Sequence, residues 1–246
     1  MTKVLNHFVH YLFVAVLFCA FPLAADDTLP VTDRPLKIGT IGAGNLGGTI
    51  GELLAKAGHQ VFFSSRHPDE LQPLVERAGP NARAGTVSEA IEFGDVILLA
   101  VPYGAMPQIS RDYADALAGK IVLDAGNPFP SRDGPMAEAA LKKGAGVATA
   151  EYLPGARIVR AFNSINYRTF ASEAHRQGDK LAVPLAGDDG RALDVASRLV
   201  RDAGFQPVIA GSLEQGRHFD NGSSLFLETL TAEEMRKALH PRSEPD

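Results

Sequence analysis

The sequence predicts an α/β fold, a doubly wound, mostly parallel sheet with helices on both faces. From Pro35 onward, short apolar runs typical of buried strands alternate with amphipathic stretches at helical spacing. A glycine-rich motif separates the first of these strands from the first helix. The 246 residues, 45% hydrophobic and 22% charged, fit one large α/β domain, or one domain with an extension.

The first strand is predicted at residues 36–41, and the glycine motif follows it directly. The first glycine allows a tight turn, the second lets the backbone approach a pyrophosphate, and the third lets helix and strand pack closely. The pyrophosphate would lie against free N–H groups at the positive end of the helix. The motif thus predicts a Rossmann-type dinucleotide site formed by Gly42, Ala43, Gly44, Asn45, Leu46 and Gly47.

The second strand, residues 60–64, ends in a tripeptide that favours NADP over NAD. NAD-binding chains usually carry a carboxylate here, which accepts from the ribose 2′-hydroxyl and repels a 2′-phosphate. This chain has Ser64, Ser65 and Arg66 instead. Two hydroxyls and a guanidinium offer the donors and the charge that a 2′-phosphate needs.

The remaining elements follow in alternation. The first helix has apolar residues at helical spacing from Leu46 to Ala57, and Gly58 suits its end. Further strands are predicted at 83–85, 95–101, 120–124, 157–162, 181–186 and 206–210. Further helices are predicted from Pro68, at 87–93, from Pro102 to about 117, at 136–143 and 189–203, and from about Leu213.

Several strand exits should meet at the cofactor, because ligands of open α/β sheets lie beyond the carboxyl ends of the strands. We expect Val101 and Pro102 beside the cofactor, with Asn127, and Asn163 near its nicotinamide end. Two alternatives stay open: Asn127 precedes a proline and would serve only as a turn former, and Asn163 would only cap the next helix. Tyr103 either packs in its helix or lines the nicotinamide pocket.

No acid–base pair stands out, so the catalytic residues are left unassigned. An alcohol dehydrogenase needs a group that takes the hydroxyl proton, and the chain has no Tyr-x-x-x-Lys set. Hydride transfer between two ring systems needs mainly their orientation and closeness. This absence therefore favours a planar redox acceptor over an alcohol.

Charge and metal-binding residue types limit the other function classes. The net charge of -5 argues against nucleic acid as a main partner. The single cysteine, Cys19, lies in the N-terminal apolar stretch, and the seven histidines are scattered, so no metal site is predicted.

The first 25 residues have the pattern of a secretory signal or membrane anchor. Lys3 is followed by an apolar run and then by small residues before Asp26. The predicted organisation is a signal or anchor at 1–25, a linker at 26–35, a nucleotide-binding core at 36–150, an α/β extension of the same sheet at 151–240 and a tail at 241–246. We expect export, with membrane contact only through an uncleaved segment; a misassigned start codon would leave the protein cytoplasmic.

The chain resembles the coenzyme F-420-dependent NADP oxidoreductases, and more loosely the NADP-binding domain of six-transmembrane metalloreductases. The resemblance covers roughly residues 36–231. It implies a hydride passed between NADP(H) and the deazaflavin coenzyme without a metal. By that likeness Ser65 and Arg66 hold the 2′-phosphate, Val101 and Pro102 flank the nicotinamide, and Asn127 and Asn163 lie near the reacting rings. The motifs that carry it are Ile38-Gly39-Thr40-Ile41-Gly42-Ala43-Gly44-Asn45-Leu46-Gly47, Ser64-Ser65-Arg66, Leu99-Ala100-Val101-Pro102, Asp124-Ala125-Gly126-Asn127-Pro128 and Ala161-Phe162-Asn163-Ser164-Ile165.

The leading hypothesis is an NADP(H)-dependent oxidoreductase that moves hydride to or from a planar redox acceptor, such as coenzyme F-420 or a flavin. Two alternatives stay open: a reductase of imines or small carbonyls, and a non-catalytic NADP-binding sensor or assembly module. The expected partner is a small-molecule redox substrate, and a homodimer is a further expectation.

Overall fold

The computed structural model describes residues 34–240. The predicted signal or anchor, most of the predicted linker and the tail at 241–246 lie outside the described residues. Within the described part, no helix is both long and apolar enough to cross a membrane.

Eight strands form one sheet in the order β3-β2-β1-β4-β5-β6-β7-β8. All neighbouring pairs run parallel except β6 and β7, which are antiparallel. The prediction of a doubly wound, mostly parallel α/β sheet is therefore confirmed. The strands are β1 (Lys37–Ile41), β2 (Gln60–Ser64), β3 (Ala82–Gly85), β4 (Val96–Leu99), β5 (Ile121–Asp124), β6 (Arg157–Arg160), β7 (Ala182–Gly187) and β8 (Gln206–Gly211).

Helices connect the strands and cover the sheet. Short 3-10 helices lie at Pro68–Leu71, Tyr103–Ala105 and Leu213–Phe219. The α-helices of the described residues are α1 (Asn45–Lys56), α2 (Gln72–Ala78), α3 (Val87–Phe93), α4 (Met106–Leu117), α5 (Pro130–Asp133), α6 (Pro135–Lys143), α7 (Ala145–Tyr152), α8 (Tyr167–Glu173), α9 (Gly190–Asp202) and α10 (Ala232–Leu239).

The central strands are apolar on both faces, because helices cover both sides of a parallel sheet. In β4, Val96 and Leu98 pack into one core cluster with α1 and α9, whereas Ile97 and Leu99 pack into another with α4 and α7. A third, smaller cluster joins β7 and β8 to α10. The apolar run predicted as a strand at residues 95–101 thus packs into both layers.

The strand order reverses direction between β1 and β4. From β1 the chain proceeds to β2 and β3 on one side, and then returns to β4, which pairs with β1 on the other. Such a switch point leaves a crevice outside the carboxyl ends of the two strands, where ligands of open α/β sheets bind. The glycine motif leaves β1 at this crevice.

Several elements differ from the predicted ones. The helix predicted from Leu213 is a 3-10 helix, and the one predicted from Pro102 begins with a 3-10 turn before α4. Helices α5, α7, α8 and α10 were not predicted. α7 is rich in small residues and lacks one apolar face, so it has no clear helical periodicity. Nor does the sequence reveal that β7 reverses direction, because a buried strand has the same apolar pattern in either orientation.

Candidate functional site

The glycine motif forms a turn that other residues could not form. Gly42 has a φ of +93°, and a side chain there would place its Cβ 2.6 Å from the carbonyl oxygen of Ala100. A Cβ at Gly47 would collide with the carbonyl oxygen of Gly42. These two glycines therefore bring the start of α1 against the ends of β1 and β4.

Gly44 faces open space, unlike its two neighbours in the motif. A Cβ built there meets no heavy atom within 4 Å, and the residue is exposed. Gly44 is the N-cap of α1, where no side chain caps the helix and no acid stands in the first turn. The N–H groups of this turn are left for an anion. The loop thus fits a pyrophosphate.

Ser64 is committed to the sheet, which corrects its predicted role as a phosphate donor. Its side chain is fully buried, its hydroxyl donates to the carbonyl oxygen of Thr40, and its backbone N–H donates to Thr40 Oγ1 at 3.1 Å. A hydroxyl has one proton to donate. Ser64 therefore ties β2 to β1 and has no donor left for a 2′-phosphate.

Ser65 and Arg66 are free for a ligand. The Ser65 hydroxyl accepts from the backbone N–H of His67 at 2.9 Å, so its proton remains available. Arg66 is exposed, and no residue in the range 34–240 forms a hydrogen bond or ion pair with its guanidinium. The exit of β2 thus presents a hydroxyl donor and an uncommitted cation.

Val101 lies between the glycine loop and the loop that leaves β5. A Cβ at Gly42 would come within 3.0 Å of Val101 Cγ1, and one at Gly126 within 3.4 Å of the Val101 carbonyl oxygen. Val101 is half-buried and Pro102 is exposed. The structure therefore brings three of the predicted exits, those of β1, β4 and β5, to one edge of the sheet.

Asn127 and Asn163 are joined by a hydrogen bond. Asn127 Nδ2 donates to the backbone carbonyl of Asn163 at 2.8 Å, and Asn163 Nδ2 donates to the carbonyl of Phe219 at 3.0 Å. Asn163 is almost fully buried, and its Oδ1 has no hydrogen-bond partner among the described residues. The cap of α8 is Asn166, so Asn163 is not the helix cap considered as its alternative role.

Tyr103 packs in the core, the first of its two predicted alternatives. Only 2% of the residue is exposed, and its ring meets the Tyr152 ring edge-on at 6.3 Å. Burial raises the pKa of its hydroxyl well above the usual value. It is thus a poor proton donor or acceptor for a bound substrate.

A buried ionic cluster behind the site was missed by the sequence reasoning. Arg160 lies at the end of β6, fully buried, and its Nε donates to Asp220 Oδ1 at 2.7 Å. Its Nη1 lies 3.2 Å from Asp124 Oδ2, and its Nη2 donates to Asn127 Oδ1 at 3.0 Å. Burial raises the pKa of Asp124, although Arg160 opposes that rise. The only signal in the sequence was a charged residue inside an apolar strand.

The residues after the last 3-10 helix close the far side of the site. Asn221 Nδ2 donates to the carbonyl of Pro128 at 2.9 Å, and the rings of Phe129 and Phe226 meet edge-on at 6.3 Å. Leu227 is half-exposed with a φ of +68°, a strained conformation for leucine, and its N–H donates to the Ser164 carbonyl at 2.8 Å. An apolar rim thus borders the Asn127 loop.

The geometry agrees with the comparisons with known proteins. Residues 37–128 match the family model described as NADP oxidoreductase coenzyme F420-dependent. Over these residues the chain is similar to the coenzyme F420-dependent NADP oxidoreductases. That match spans β1 to the Asn127 loop, which is the part of the fold that carries the glycine motif, Arg66 and Val101.

Two curated relatives extend the likeness beyond this region. The chain is 27% identical to the F420-dependent NADP reductase of Methanothermobacter marburgensis, over 82% of this chain and 96% of that protein. It is 28% identical to the metalloreductase STEAP3 of Rattus norvegicus, over 75% of this chain. The match spans only 36% of the length of the metalloreductase.

Solved structures agree on the fold. A hypothetical protein, SMa0349, from Sinorhizobium meliloti superposes with a TM-score of 0.70 at 28% identity, covering 80% of this chain and 95% of that one. A candidate F420-dependent NADP reductase from Arthrobacter sp. FB24 gives a TM-score of 0.63 at 23% identity, covering 74% and 87%. The prediction of a Rossmann-type fold is confirmed, and so is the predicted resemblance to the F420-dependent NADP oxidoreductases.

Proposed function

We propose that this protein transfers hydride between NADP(H) and a planar acceptor of the deazaflavin or flavin class. The observation that carries the cofactor half is the open Gly44 turn together with the uncommitted guanidinium of Arg66. The pyrophosphate would lie on the first turn of α1, and the 2′-phosphate between Ser65 and Arg66. The nicotinamide would then lie over Val101 and Asn127.

The class of acceptor is proposed from the residues that border the Asn127 loop. Phe129, Phe226 and Leu227 form a rim beside the Asn127 loop, and the Arg132 guanidinium lies over the Phe129 ring. Aromatic and apolar side chains in a rim suit a flat ring. NADPH, when bound, would supply a hydride, one proton with two electrons, to the acceptor ring and leave as NADP⁺. The acceptor takes its second proton from water, so the chain needs only to hold the two rings together.

The first experiment is a fluorescence titration of the purified protein with NADPH and with NADH. We expect NADPH to bind at least about tenfold more tightly, because a charge-assisted contact to the 2′-phosphate contributes roughly 1.5–3 kcal/mol. Equal affinities would contradict the assignment of the β2 exit. Absence of binding to either dinucleotide would overturn the proposed function.

Arg66→Ala tests the residue that carries the preference. Loss of one charge-assisted contact should weaken NADPH binding about 10- to 150-fold and leave NADH binding almost unchanged. Arg111→Ala, which removes another exposed guanidinium on α4, is the matched control and should change neither affinity. If Arg66→Ala weakens both dinucleotides equally, the 2′-phosphate lies elsewhere.

An acceptor screen with NADPH tests the second half of the proposal. Deazaflavin, flavin and quinone analogues should be reduced, and small imines and carbonyls should not. Turnover of an imine or carbonyl alone would favour the alternative reductase function. Tight NADPH binding without turnover of any acceptor would favour the non-catalytic module.

The proposal includes export of the nucleotide-binding domain and assembly of a homodimer. Export is supported by the charge and apolar pattern of residues 1–25, with Lys3 before the run and Asp26 after it. A reporter fused after residue 40 should be active only outside the cytoplasm. Sedimentation of the purified protein tests the dimer.

A further inference from the structure

Arg160 is the largest fully buried side chain among the described residues. Removal of a guanidinium from water costs several kcal/mol, and only good geometry with further hydrogen bonds offsets that cost. The carboxylates of Asp220 and Asp124 provide the charge partners, at 2.7 and 3.2 Å. The other N–H groups of Arg160 donate to a different part of the chain.

Those donors converge on the loop that leaves β5. Arg160 Nη1 donates to the backbone carbonyls of Asp124 and Gly126, and Nη2 donates to Asn127 Oδ1 at 3.0 Å. One planar group therefore holds the loop at three of its four positions from 124 to 127. The guanidinium has five N–H donors in one rigid plane, so a lysine ammonium could not make the same set of hydrogen bonds.

The partners of Asn127 fix which way its side-chain amide faces. Arg160 can only donate, so it selects Oδ1; the carbonyl of Asn163 can only accept, so it selects Nδ2 at 2.8 Å. If the amide were flipped, its Nδ2 donor would face the Arg160 donor and its Oδ1 acceptor would face the Asn163 carbonyl oxygen, so both hydrogen bonds would be lost. One of the two Nδ2 hydrogens is used, and the half-buried Asn127 keeps the other.

We propose that Arg160 is a positioning residue for the nicotinamide: it fixes Asn127 so that the remaining amide N–H donates to the carboxamide oxygen of the ring. The inference rests on the proposed function, because it needs NADP(H) in the crevice between β1 and β4. Val101 lies beside both the glycine loop and the Gly126 turn, which places Asn127 at the same edge of the sheet as the glycine loop. Asn127 is then the nicotinamide contact, and Arg160 acts through it.

Binding of two ligands separates this role from a general structural one. NADP⁺ and 2′-phospho-ADP-ribose share the pyrophosphate and 2′-phosphate, and only NADP⁺ has the nicotinamide. Calorimetry should give their affinities for the wild type, Asn127→Ser, Arg160→Lys and the double variant. Each single variant should weaken NADP⁺ roughly 2- to 13-fold, the value of one hydrogen bond, and leave 2′-phospho-ADP-ribose unchanged. The double variant should bind NADP⁺ no more weakly than whichever single variant binds it less tightly.

Arg157→Lys is the matched control, three residues earlier on the same strand. Arg157 forms its ion pair with Asp189, at 2.7 and 2.8 Å, away from the Asn127 loop. This variant should change neither affinity. Circular dichroism checks that each variant is folded.

The outcomes distinguish the inference from the proposed function. If the wild type binds neither ligand, the proposed function fails. If it binds both but Asn127→Ser leaves the ratio of affinities unchanged, the inference is wrong, whether or not Arg160→Lys folds. Equal weakening of both ligands, or additive losses in the double variant, would show that Arg160 supports the fold without acting through Asn127.

Discussion

At the residue scale, the three glycines of the motif have different physical roles. Gly42 and Gly47 are required by the fold, since a Cβ at either meets backbone atoms, whereas a Cβ at Gly44 meets none. Substitution of Gly44 should therefore spare the fold and affect only the ligand. Ser64 and Ser65 differ in the same way, because the first bonds to Thr40 within the sheet and the second is available to a ligand.

Gly44→Val should abolish binding of both NADPH and NADH while the protein stays folded, because the new side chain occupies the position of the pyrophosphate. Fluorescence titration and a thermal melt measure the two effects. Gly190→Val is the control, since Gly190 also opens a helix, α9, and a Cβ there meets no atom within 4 Å. Retained dinucleotide binding in Gly44→Val would mean that the pyrophosphate does not lie on α1.

At the element scale, short local signals set where helices begin. α3 begins at a capping box, in which Thr86 Oγ1 accepts from the Glu89 N–H at 3.3 Å and Glu89 Oε2 accepts from the Thr86 N–H at 2.8 Å. α3 in turn packs tightly on β1, since a Cβ at Gly39 would collide with the Ala90 carbonyl. β1, which leads into the glycine loop, thus packs against the capped helix α3.

Thr86→Ala should lower the free energy of unfolding by about 0.5–2 kcal/mol, because it removes one half of the capping box. Urea denaturation measures this loss, and the affinity for NADPH should stay the same. Ser88→Ala, exposed in the same helix, is the control and should cost much less. An unchanged unfolding midpoint in Thr86→Ala would show that the box contributes nothing to stability.

At the scale of the whole molecule, His59 joins three distant parts of the chain. Its Nδ1 accepts from the Leu36 N–H at 3.1 Å, and its Nε2 lies 3.0 Å from Asp202 Oδ2 at the end of α9. Arg198 contacts the same carboxylate at 3.2 Å. Burial lowers the pKa of His59 below 6.5, although Asp202 opposes that shift. The neutral His59 ring therefore fixes the start of β1 against the end of α9.

The free energy of unfolding should consequently fall as the pH drops below about 6.5, because the unfolded chain then binds a proton that the folded ring refuses. The contribution of His59 is fully present above that pH. Urea denaturation from about pH 5 to 8 measures the slope, and His59→Asn, which keeps an acceptor without a titrating ring, should flatten it. His67→Asn, an exposed histidine, should not. An equal slope in wild type and His59→Asn would refute this role.

Local patterns made much of the fold predictable. The glycine motif, the alternation of strands and helices and the β2 exit each need only neighbouring residues, and the structure has strands at every predicted position. Among the helices that were missed, α7 has no apolar face for a periodicity to reveal. The Ser64 role failed for a different reason, because its partner Thr40 lies 24 residues away on a neighbouring strand.

The sequence by itself determined the strands and the glycine loop, since backbone conformation and strand exits follow from local residue types and spacing, and it predicts the preference for a 2′-phosphate. Only the tertiary structure decided the reversal of β7, the apolar rim around Phe129 and the cluster at Arg160. Arg160 and Asp220 are 60 residues apart, and Phe129 and Phe226 lie on separate loops. Packing across the whole molecule brings such pairs together. The residues around a charged side chain in an apolar strand do not indicate which distant residue will contact it.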